Sequence, residues 1–272
     1  MTAESAAKAP ASCTIDEVRD SWDRVAPIWS AFVREDDVHR ERLHGPALLK
    51  PCGDVAGLNV LDIGCGEGWC SRELAGRGAI VTAIDIAPAM IEEARRHPKQ
   101  AEQPVDYHVM DAAHVDQREE WAAGFDLVTA CMALHCMPDP ASALRAVRRV
   151  LSPAGRLVFS IPHPTTHARA GRRDVRRLAD GLYVQADGYF DVAVYRRPWR
   201  IGDREWETRR WSRPHSAYVN MLKTAGFVIW DELEPRASVE DVAAHERLRN
   251  ADQVPYFLVV AAEPSHRPLP ED

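Results

Sequence analysis

The chain has 272 residues, of which 46% are hydrophobic and 28% charged, and its formal net charge is -7. This balance is typical of a globular protein, and the negative charge argues against a general affinity for nucleic acids or anionic membranes. No apolar run approaches the ~18 residues that a membrane-spanning helix needs. Residues 1–12 are small and polar, without an apolar signal segment, so we expect a disordered tail and a cytoplasmic protein.

The cysteines indicate free thiols. Six are present, without a C-x-x-C pair or the paired clusters of a zinc site. Cys65 and Cys131 fall at the ends of apolar segments, where free thiols that are buried or line a pocket are common. We therefore expect no metal site.

Residues 15–50 have a helical pattern. Trp22, Val25 and Trp29 recur at spacings of three, four and seven residues. Pro27 interrupts the pattern and lacks the backbone N–H that a helix interior uses, so we expect two helical pieces.

From residue 58 onwards, apolar segments alternate with helical ones. Strands that are apolar throughout and joined by helices indicate a mostly parallel sheet covered on both faces, with the carboxyl ends of its strands at one edge. The last two strands are expected to form an antiparallel pair. The predicted strands are 58–63, 80–86, 105–110, 125–131, 156–161, 227–233 and 256–261, and the predicted helices are 67–76, 88–97, 140–151 and 215–225; residues 152–155 are predicted to form a turn.

Residues 162–214 break this alternation. They contain twelve arginines, no lysine and seven acidic residues, interspersed with aromatic residues. Two β-like runs, 189–196 and 204–211, predict a hairpin inserted in the fold. We expect a single domain over residues 13–272, with helices 15–50 as a cover and 162–214 as an insert on the substrate side.

The strongest motif follows the first strand, where Asp62 precedes Gly64, Gly66 and Gly68. Glycines let the backbone turn sharply and approach a ligand closely. A dinucleotide-binding loop has the spacing G-x-G-x-x-G, which this loop lacks, so a nicotinamide-dependent dehydrogenase is not favoured. A carboxylate at Asp62 suits a ligand with a free amino group better than a pyrophosphate.

Two further carboxylates end successive strands. Asp85 ends the second strand, where an acidic residue can accept both hydroxyls of a ribose. Asp111 ends the third, where it can accept a hydrogen bond from an adenine amino group. A single aspartate at a strand end is usually a cap or turn residue, but three at successive strand ends favour a nucleoside-like ligand.

The sequence between Leu58 and Ile161 resembles the class I S-adenosylmethionine-dependent methyltransferases. The helix from Trp22 to Trp29, the aromatic hairpin and the segments 159–164 and 213–218 resemble, more narrowly, the bacterial small-molecule enzymes. The matching segments, in order, are VLDIGCGEG, AIDIAPAMI, MDAA, FDLVTACMALH and LSPAGRLVFS. The resemblance implies an α/β fold with a Rossmann-like, seven-stranded, mostly parallel sheet in the order 3-2-1-4-5-7-6, the last strand antiparallel. It also implies S-adenosylmethionine as cofactor and S-adenosylhomocysteine as product.

The resemblance assigns the cofactor residues by position. The Gly64–Gly66 loop with Cys65 and Asp62 would lie under the methionine and ribose, Asp85 would hold the ribose, and Asp111 and Ala112 would meet the adenine edge. Ile86 and Met90 would flank the adenine, and Cys131, Met132 and His135 would line the sulfonium end.

A catalytic base is optional in this chemistry, because the sulfonium already makes the methyl group electrophilic. If a base exists, His163 is the first candidate, since it follows the fifth strand between two prolines. His135 and His167 are the next candidates. Any one of these histidines can equally be structural.

Aromatic side chains are the candidates for substrate binding. Tyr189 and Tyr195 can position a substrate or simply pack within the hairpin. Trp29, like Trp22, can cap the site or belong to the helix core. Arginines among aromatics suit a planar, acidic or aromatic substrate; nucleic acid would use the same chemistry but is disfavoured by the net charge.

The sequence therefore predicts methyl transfer from S-adenosylmethionine to an O, N or C nucleophile of a small molecule, in a monomer or homodimer. Two alternatives remain. A methyltransferase-like protein can bind the cofactor and catalyse a non-methylating step such as a cyclisation, or bind it without turnover, because a fold does not determine chemistry.

Overall fold

The computed structural model of the chain describes residues 13–35, 37–97, 104–167, 175–201 and 204–265, with the side chains of 197–205 left aside. The predicted tail, residues 1–12, lies outside the described residues. Within the described ranges, no helix is both long and apolar enough to cross a membrane.

A seven-stranded sheet forms the centre of the fold, in the order β10-β11-β5-β4-β1-β2-β3. β11 runs antiparallel to both of its neighbours, and the remaining pairs are parallel. Counted along the chain as seven strands, this is the order 3-2-1-4-5-7-6, so the predicted fold class is confirmed. The strands are β1 Asn59–Ile63, β2 Ile80–Asp85, β3 Asp106–Val109, β4 Phe125–Cys131, β5 Leu151–Pro162, β10 Phe227–Leu233 and β11 Phe257–Pro264.

Helices cover both faces of the sheet, which explains why its central strands are apolar throughout. Leu144 of α5 and Leu222 of α6 pack on one face, while Leu48 of α2 and Leu74 of α3 pack on the other. The helices are α1 Ile15–Glu35, α2 Gly45–Cys52, α3 Trp69–Ala75, α4 Pro88–Arg96, α5 Pro140–Val150, α6 His215–Thr224 and α7 Val239–Ala244, and a π-helical turn, Arg40–His44, leads into α2.

The expected break at Pro27 is wrong, because α1 continues through it. A proline inside a helix removes one hydrogen bond and costs about 3 kcal/mol. Here Val25 and Ala26, directly before Pro27, are fully buried against Ala87 and Met90 of the neighbouring segment. Burial of this apolar stripe offsets the lost hydrogen bond.

The expected turn at 152–155 is also wrong, since β5 already begins at Leu151. The pairing with β4 shifts between Phe125↔Leu151 and Leu127↔Arg156. The Ser-Pro-Ala-Gly segment therefore forms a bulge within the strand, which accommodates a proline that cannot donate to the ladder.

The described residues of the insert form two hairpins. One was predicted, and it forms from β8 Ala193–Ile201 and β9 Arg204–Ser212. The other, β6 Val175–Leu178 with β7 Gly181–Val184, was not predicted because its strands are only four residues long. β9 packs against α1 and against the short 3₁₀ turn Leu134–Cys136, which places the larger hairpin over the carboxyl edge of the sheet.

Candidate active site

A cavity of about 270 Å³ opens at the carboxyl edge of the parallel strands. The glycine loop after β1 and the ends of β2, β3 and β4 form its floor, and α1, the π-helical turn and β9 close it from above. Of the residues predicted to bind a ligand, the lining contains Gly64, Cys65, Gly66, Asp85, Ile86, Met90, Asp111, Ala112, Cys131, Met132, His135, His167, Trp22 and Trp29.

The glycine loop has the backbone geometry that only glycine adopts easily. Gly64 and Gly66 have φ angles of +64° and +55°. A Cβ at Gly64 would stand 2.6 Å from the Cβ of Ala133, whereas a Cβ at Gly66 would meet nothing within 4 Å. Gly64 is thus required for packing, and Gly66 leaves open space above the loop.

Asp85 connects the second strand to the glycine loop. Its Oδ2 accepts a hydrogen bond from the backbone N–H of Gly66 at 2.9 Å, and its Oδ1 accepts one from the N–H of Ala87 at 2.9 Å. Burial raises the pKa of this carboxyl to about 6, although the two backbone donors oppose the shift. Asp85 is therefore a poorly hydrated acceptor at the cavity wall.

Asp111 occupies the corresponding position after β3. Its Oδ1 accepts a hydrogen bond from the N–H of Ala113 at 2.9 Å and so begins a 3₁₀ helix at Ala112. This is the capping role that a lone aspartate at a strand end usually has. The carboxylate still lines the cavity beside Ala112 and Met110.

The position of Asp62 differs from the expectation of direct ligand contact. Asp62 is fully buried and is not part of the cavity lining. Its two oxygens accept hydrogen bonds from Ser71 Oγ at 2.6 Å and Thr129 Oγ1 at 2.8 Å. Burial raises the pKa of Asp62 to about 6. The residue ties β1 to α3 and β4 beneath the loop.

A buried ionic network that the sequence did not reveal lies above the loop. Arg40 Nη1 pairs with Glu67 Oε1 at 2.8 Å, and Arg72 Nη2 pairs with Glu67 Oε2 at 2.6 Å. Arg40 also stacks over Trp69, 5.2 Å from the ring centroid. Nothing in the helical pattern of residues 15–50 distinguishes Arg40 from the other arginines there, so no sequence signal pointed to it.

His44 is a second lining residue that sequence reasoning missed. Burial lowers the pKa of its imidazole to about 3, so the ring is neutral. The ring lies 4.8 Å from that of Phe257, and Nδ1 lies 3.8 Å from Cys131 Sγ. His44 and Phe257 come from the π-helical turn before α2 and from β11, which only the tertiary fold brings together.

His135 lines the cavity from the 3₁₀ turn after β4. Only 2% of the residue is exposed. Burial, and next the charge of Arg210, lower the pKa of His135 far below its usual range. Arg210 of β9 and His167 line the same cavity, so the larger hairpin supplies a cation to it.

His163, the first candidate for a base, lies outside the cavity lining. Its Nε2 lies 2.8 Å from Glu234 Oε1, and its Nδ1 accepts a hydrogen bond from the N–H of Thr165. The direct catalytic role expected for His163 is therefore not supported by its position. Its side chain is paired with Glu234 instead, although Pro162 before it and His167 after it line the cavity.

The two tyrosine predictions also differ from the structure. Tyr189 does not line the cavity; its hydroxyl accepts a hydrogen bond from the N–H of His215 at 3.1 Å and so caps α6. Tyr195 lines a small recess on the far side of His135, not the main cavity. Trp22 and Trp29 line the cavity and also pack with Val25 and Ala26, so both expected roles coexist.

Comparison with known proteins gives several matches. Residues 61–159 match a family model described as a methyltransferase domain. A stretch of 117 residues is 42% identical to the ubiquinone biosynthesis O-methyltransferase of Xanthomonas oryzae pv. oryzae, and covers 43% of this chain and 48% of that protein. An S-adenosylmethionine-dependent methyltransferase from Mesorhizobium loti superposes with a TM-score of 0.64 at 29% identity, covering 80% of this chain and 95% of that one.

Residues 61–159 therefore match a methyltransferase domain, and the fold is that of an S-adenosylmethionine-dependent methyltransferase. The chain spans about half the length of the curated relatives that it matches. The [4+2]-cyclase SpnF has the same fold, with a TM-score of 0.61 at 18% identity over 95% of this chain and 99% of that one, so the fold alone does not identify the reaction.

The residues that line the cavity fit S-adenosylmethionine. The space above Gly66 admits a ligand against the bare backbone. Asp85 and Asp111 offer carboxylate oxygens to hydroxyl and amino hydrogens at the strand ends where a nucleoside needs them. Within the described ranges, no group of three or more His, Cys, Asp or Glu side chains is placed to hold a metal ion.

Proposed function

We propose that the chain transfers a methyl group from S-adenosylmethionine to a small-molecule acceptor. The observation that carries this proposal is the continuity of the cavity. The glycine loop and Asp85 lie in the same cavity as His135, His167 and Arg210, so a molecule at the loop and a second molecule beside the histidines would share one enclosed space.

We assign the cofactor half of the cavity residue by residue. Asp85 accepts hydrogen bonds from the ribose, and the bare backbone at Gly64 and Gly66 lies against the methionine and ribose. Ile86 and Met90 pack against the adenine, whose edge meets Asp111 and Ala112. Cys131 and Met132 line the sulfonium end, and Asp62 supports the loop from below.

The remaining residues orient the acceptor and exclude water. When bound, S-adenosylmethionine supplies a methyl group that its sulfonium makes electrophilic. Alignment of two reactants can lower a barrier by about 7–11 kcal/mol in favourable cases. Trp22, Trp29 and Phe32 of α1 cover the cavity with apolar surface, which keeps water from the reacting atoms.

Two histidines of the cavity, His44 and His135, have uncharged imidazole rings. The lowered pKa values of His44 and His135 keep both imidazoles uncharged near neutral pH. A neutral imidazole accepts and donates hydrogen bonds, but one with so low a pKa is a weak general base. We therefore assign to His135 the positioning of the acceptor rather than the removal of a proton from it. We assign a positioning role also to His167, which lines the same cavity.

Ligand binding is the first test. Thermal unfolding is measured with S-adenosylhomocysteine and with NAD, for the wild type, Asp85→Ala, and Asp180→Ala as a control on an exposed turn. Ligand at ~100 times its dissociation constant stabilises by about 2.7 kcal/mol, which raises Tm by about 5–10 °C. We expect this shift with S-adenosylhomocysteine alone, weakened in Asp85→Ala and retained in Asp180→Ala. The absence of a shift would contradict the cofactor assignment.

Product mass is the second test. Incubation with S-adenosylmethionine and candidate acceptors is followed by mass spectrometry of both products. Methyl transfer adds one methyl group to the acceptor and yields S-adenosylhomocysteine in equal amount. Turnover of an acceptor without a gain in mass would instead support a cyclisation or another non-methylating step.

A further inference from the structure

The π-helical turn Arg40–His44 brings two side chains to the cavity. The N–H of Gly45 donates to the carbonyl oxygen of Arg40, five residues earlier, and Arg40 and His44 both line the cavity. A Cβ at Gly45 would collide with that carbonyl oxygen and stand 2.8 Å from the ring of Trp69, so glycine lets the turn pack there. Such turns are rare and are frequent at functional sites. Arg40 pairs with Glu67, which leaves the role of His44 to be explained.

A chain of hydrogen bonds reaches His44 from β5. The N–H of Met132 donates to Ser160 Oγ at 3.1 Å, and Ser160 Oγ donates its hydrogen to Cys131 Sγ at 3.9 Å. Cys131 Sγ in turn lies 3.8 Å from His44 Nδ1. Burial raises the pKa of the Cys131 thiol to about 12, so the sulfur keeps its proton. Since the sulfur accepts from Ser160, its own proton is the one shared with Nδ1.

The direction of this chain fixes the tautomer of His44. A neutral imidazole has one N–H, and the nitrogen that accepts a hydrogen bond does not carry the proton. Burial, and next the charge of Arg40, lower the pKa of His44 to about 3. The ring is therefore neutral, with its proton on Nε2.

Nε2–H of His44 is a donor available to a ligand. Within the ranges that the structure describes, Nε2 makes no hydrogen bond, although the residue is only 6% exposed. Unlike Nδ1 of His135, Nε2 of His44 is not sealed from the cavity that its residue lines. A donor in so buried a place is costly unless an acceptor satisfies it.

The position of His44 over the sheet indicates which molecule it meets. The centroid of its ring lies 4.8 Å from that of Phe257, the first residue of β11, which is paired with Pro162 at the end of β5. The sheet order is β11-β5-β4-β1-β2-β3, and Asp85 and Asp111 lie at the ends of β2 and β3. His44 thus packs on strands that are separated by β1 from those assigned to the nucleoside.

The charged side chains of the cover and the loop are paired with one another. Arg40 Nη1 lies 2.8 Å from Glu67 Oε1, and Arg40 Nε lies 3.5 Å from Asp37 Oδ2. A ligand at His44 Nε2 therefore needs no charge of its own, because a carbonyl or hydroxyl oxygen accepts from a neutral N–H. The aromatic rings of Trp69 and Phe257 line the same cavity and favour a flat molecule.

We propose that Nε2–H of His44 donates a hydrogen bond to an oxygen of the methyl acceptor and thereby positions it. The acceptor is then a flat molecule with a carbonyl or hydroxyl oxygen near its nucleophilic atom. This inference rests on the proposed function and adds to it a positioning residue and a feature of the substrate. His44 removes no proton from the acceptor, because the nitrogen that faces the ligand already carries one.

The tautomer is tested first, by NMR of the chain with ¹⁵N-labelled histidine side chains. The signals of His44 are those lost in His44→Phe. We expect the proton on Nε2 in the wild type and a mixture of both tautomers in Cys131→Ala. The control Cys52→Ala removes a buried thiol that donates to the carbonyl oxygen of Leu48 instead, and should leave the tautomer unchanged. A proton on Nδ1 in the wild type, or an unchanged tautomer in Cys131→Ala, would overturn the inference.

The donor role is tested with two probes of equal shape. The chain saturated with S-adenosylhomocysteine is titrated with acetophenone, which has a carbonyl oxygen, and with α-methylstyrene, which has a CH₂ group in its place. We expect acetophenone to bind about 2–10-fold more tightly, the net contribution of one hydrogen bond, and to shift the Nε2–H signal of His44. His44→Phe, which keeps a ring against Phe257, should lose this preference, and His44→Gln, which keeps an N–H donor, should retain part of it.

The affinity of S-adenosylhomocysteine distinguishes the acceptor from the cofactor. It should change by less than about threefold in His44→Phe. A loss of about tenfold or more would assign the donor to the cofactor and overturn the inference, as would equal binding of the two probes or binding of neither. Failure of the wild type to bind S-adenosylhomocysteine would instead refute the proposed function.

Discussion

Asp85 and Gly66 are joined by a hydrogen bond of 2.9 Å from the backbone N–H of Gly66 to the Asp85 carboxylate. The residue assigned to the ribose therefore also holds the glycine loop in place. The two halves of the cofactor motif, separated by 19 residues, form one unit. Changes at Asp85 should thus affect ligand affinity and loop geometry together, which requires conservative variants to separate the two effects.

Cofactor binding should weaken in mild acid. The pKa of Asp85 is about 6, and a ribose hydroxyl donates to the ionised form, so protonation competes with the ligand. The dissociation constant of S-adenosylhomocysteine is expected to rise by up to about tenfold per pH unit below pH 6. Calorimetric titration between pH 7.5 and 5 measures this, and Asp85→Asn, whose side chain does not ionise, should show weaker and flatter binding.

The stability of the ligand-free chain should depend on pH in the opposite direction, because these two carboxyl groups favour folding at low pH. Since burial raises the pKa values of Asp62 and Asp85 from 3.8 to about 6, the folded state binds protons more tightly than the unfolded state. This contribution to the free energy of unfolding is fully present below the pKa of the unfolded chain and is lost as the pH rises through 6.

The titration with S-adenosylhomocysteine also has an outcome that would contradict the role of ionised Asp85, namely a dissociation constant of the wild type that remains unchanged down to pH 5.

Gly66→Ala should separate ligand binding from folding. Gly66 and Gly57 both have positive φ angles, and a Cβ at either position meets nothing within 4 Å. Both alanine variants are expected to lose about 1–2 kcal/mol from backbone strain. Only Gly66→Ala places a methyl group in the cavity, so only this variant should lose affinity for S-adenosylhomocysteine, by tenfold or more.

Thermal denaturation and calorimetry of the two glycine variants test this pair. Gly57→Ala is the control for strain alone, because Gly57 lies in the loop before β1, away from the cavity lining. Equal affinities of both variants would show that the ligand does not approach the backbone at Gly66.

Arg40 and Glu67 should behave as a coupled buried pair. Their side chains are 12% and 4% exposed, respectively, and 2.8 Å apart. Removal of one partner of a buried pair leaves an uncompensated charge and costs about 3–5 kcal/mol. Arg72 still neutralises Glu67, so we expect Arg40→Met to fall at the lower end of that range.

A double-mutant cycle with urea denaturation measures this coupling. The variant Arg40→Met with Glu67→Gln is expected to be more stable than the sum of the two single variants predicts, by about 1–3 kcal/mol. Additive losses would show that the two side chains do not interact in solution.

His163→Ala should leave function nearly unchanged. The side chain pairs with Glu234, which is more than half exposed, and lies outside the cavity lining. We expect a loss of stability of at most about 1 kcal/mol, with unaltered affinity for S-adenosylhomocysteine. Once an acceptor is identified, kcat/KM should change by less than about threefold, whereas loss of a general base would lower it by about 10²-fold or more.

The parallel sheet and the strand ends that line the cavity were predictable because they rest on local patterns, whereas the strand order was implied by the family resemblance. A short stretch of sequence is enough to recognise each of these features, which are the apolar strands, the glycines after β1 and the carboxylates at the ends of β2 and β3. Right-handed crossovers then place those strand ends at one edge. The structure places Gly64, Gly66, Asp85 and Asp111 along one cavity accordingly.

The acceptor half depends on contacts between segments that are distant in the chain. Arg210 reaches the cavity only because β9 packs on α1 and on the turn after β4, and no periodicity distinguishes it from Arg209. His163 was a reasonable candidate by its place after β5, yet its side chain points to Glu234. Local sequence specifies where a strand ends, but not the direction of the chain beyond it.

The sequence by itself determined a mostly parallel sheet and the glycine loop, because the hydrophobic pattern and the glycine spacing act within single β-α units, while the strand order was implied by the family resemblance. Only the tertiary structure decided that α1 continues through Pro27, that Asp62 lies beneath the loop, and that Arg40, His44 and Arg210 line the cavity. These outcomes depend on burial against distant elements, whose free energy exceeds the local preference of any one residue.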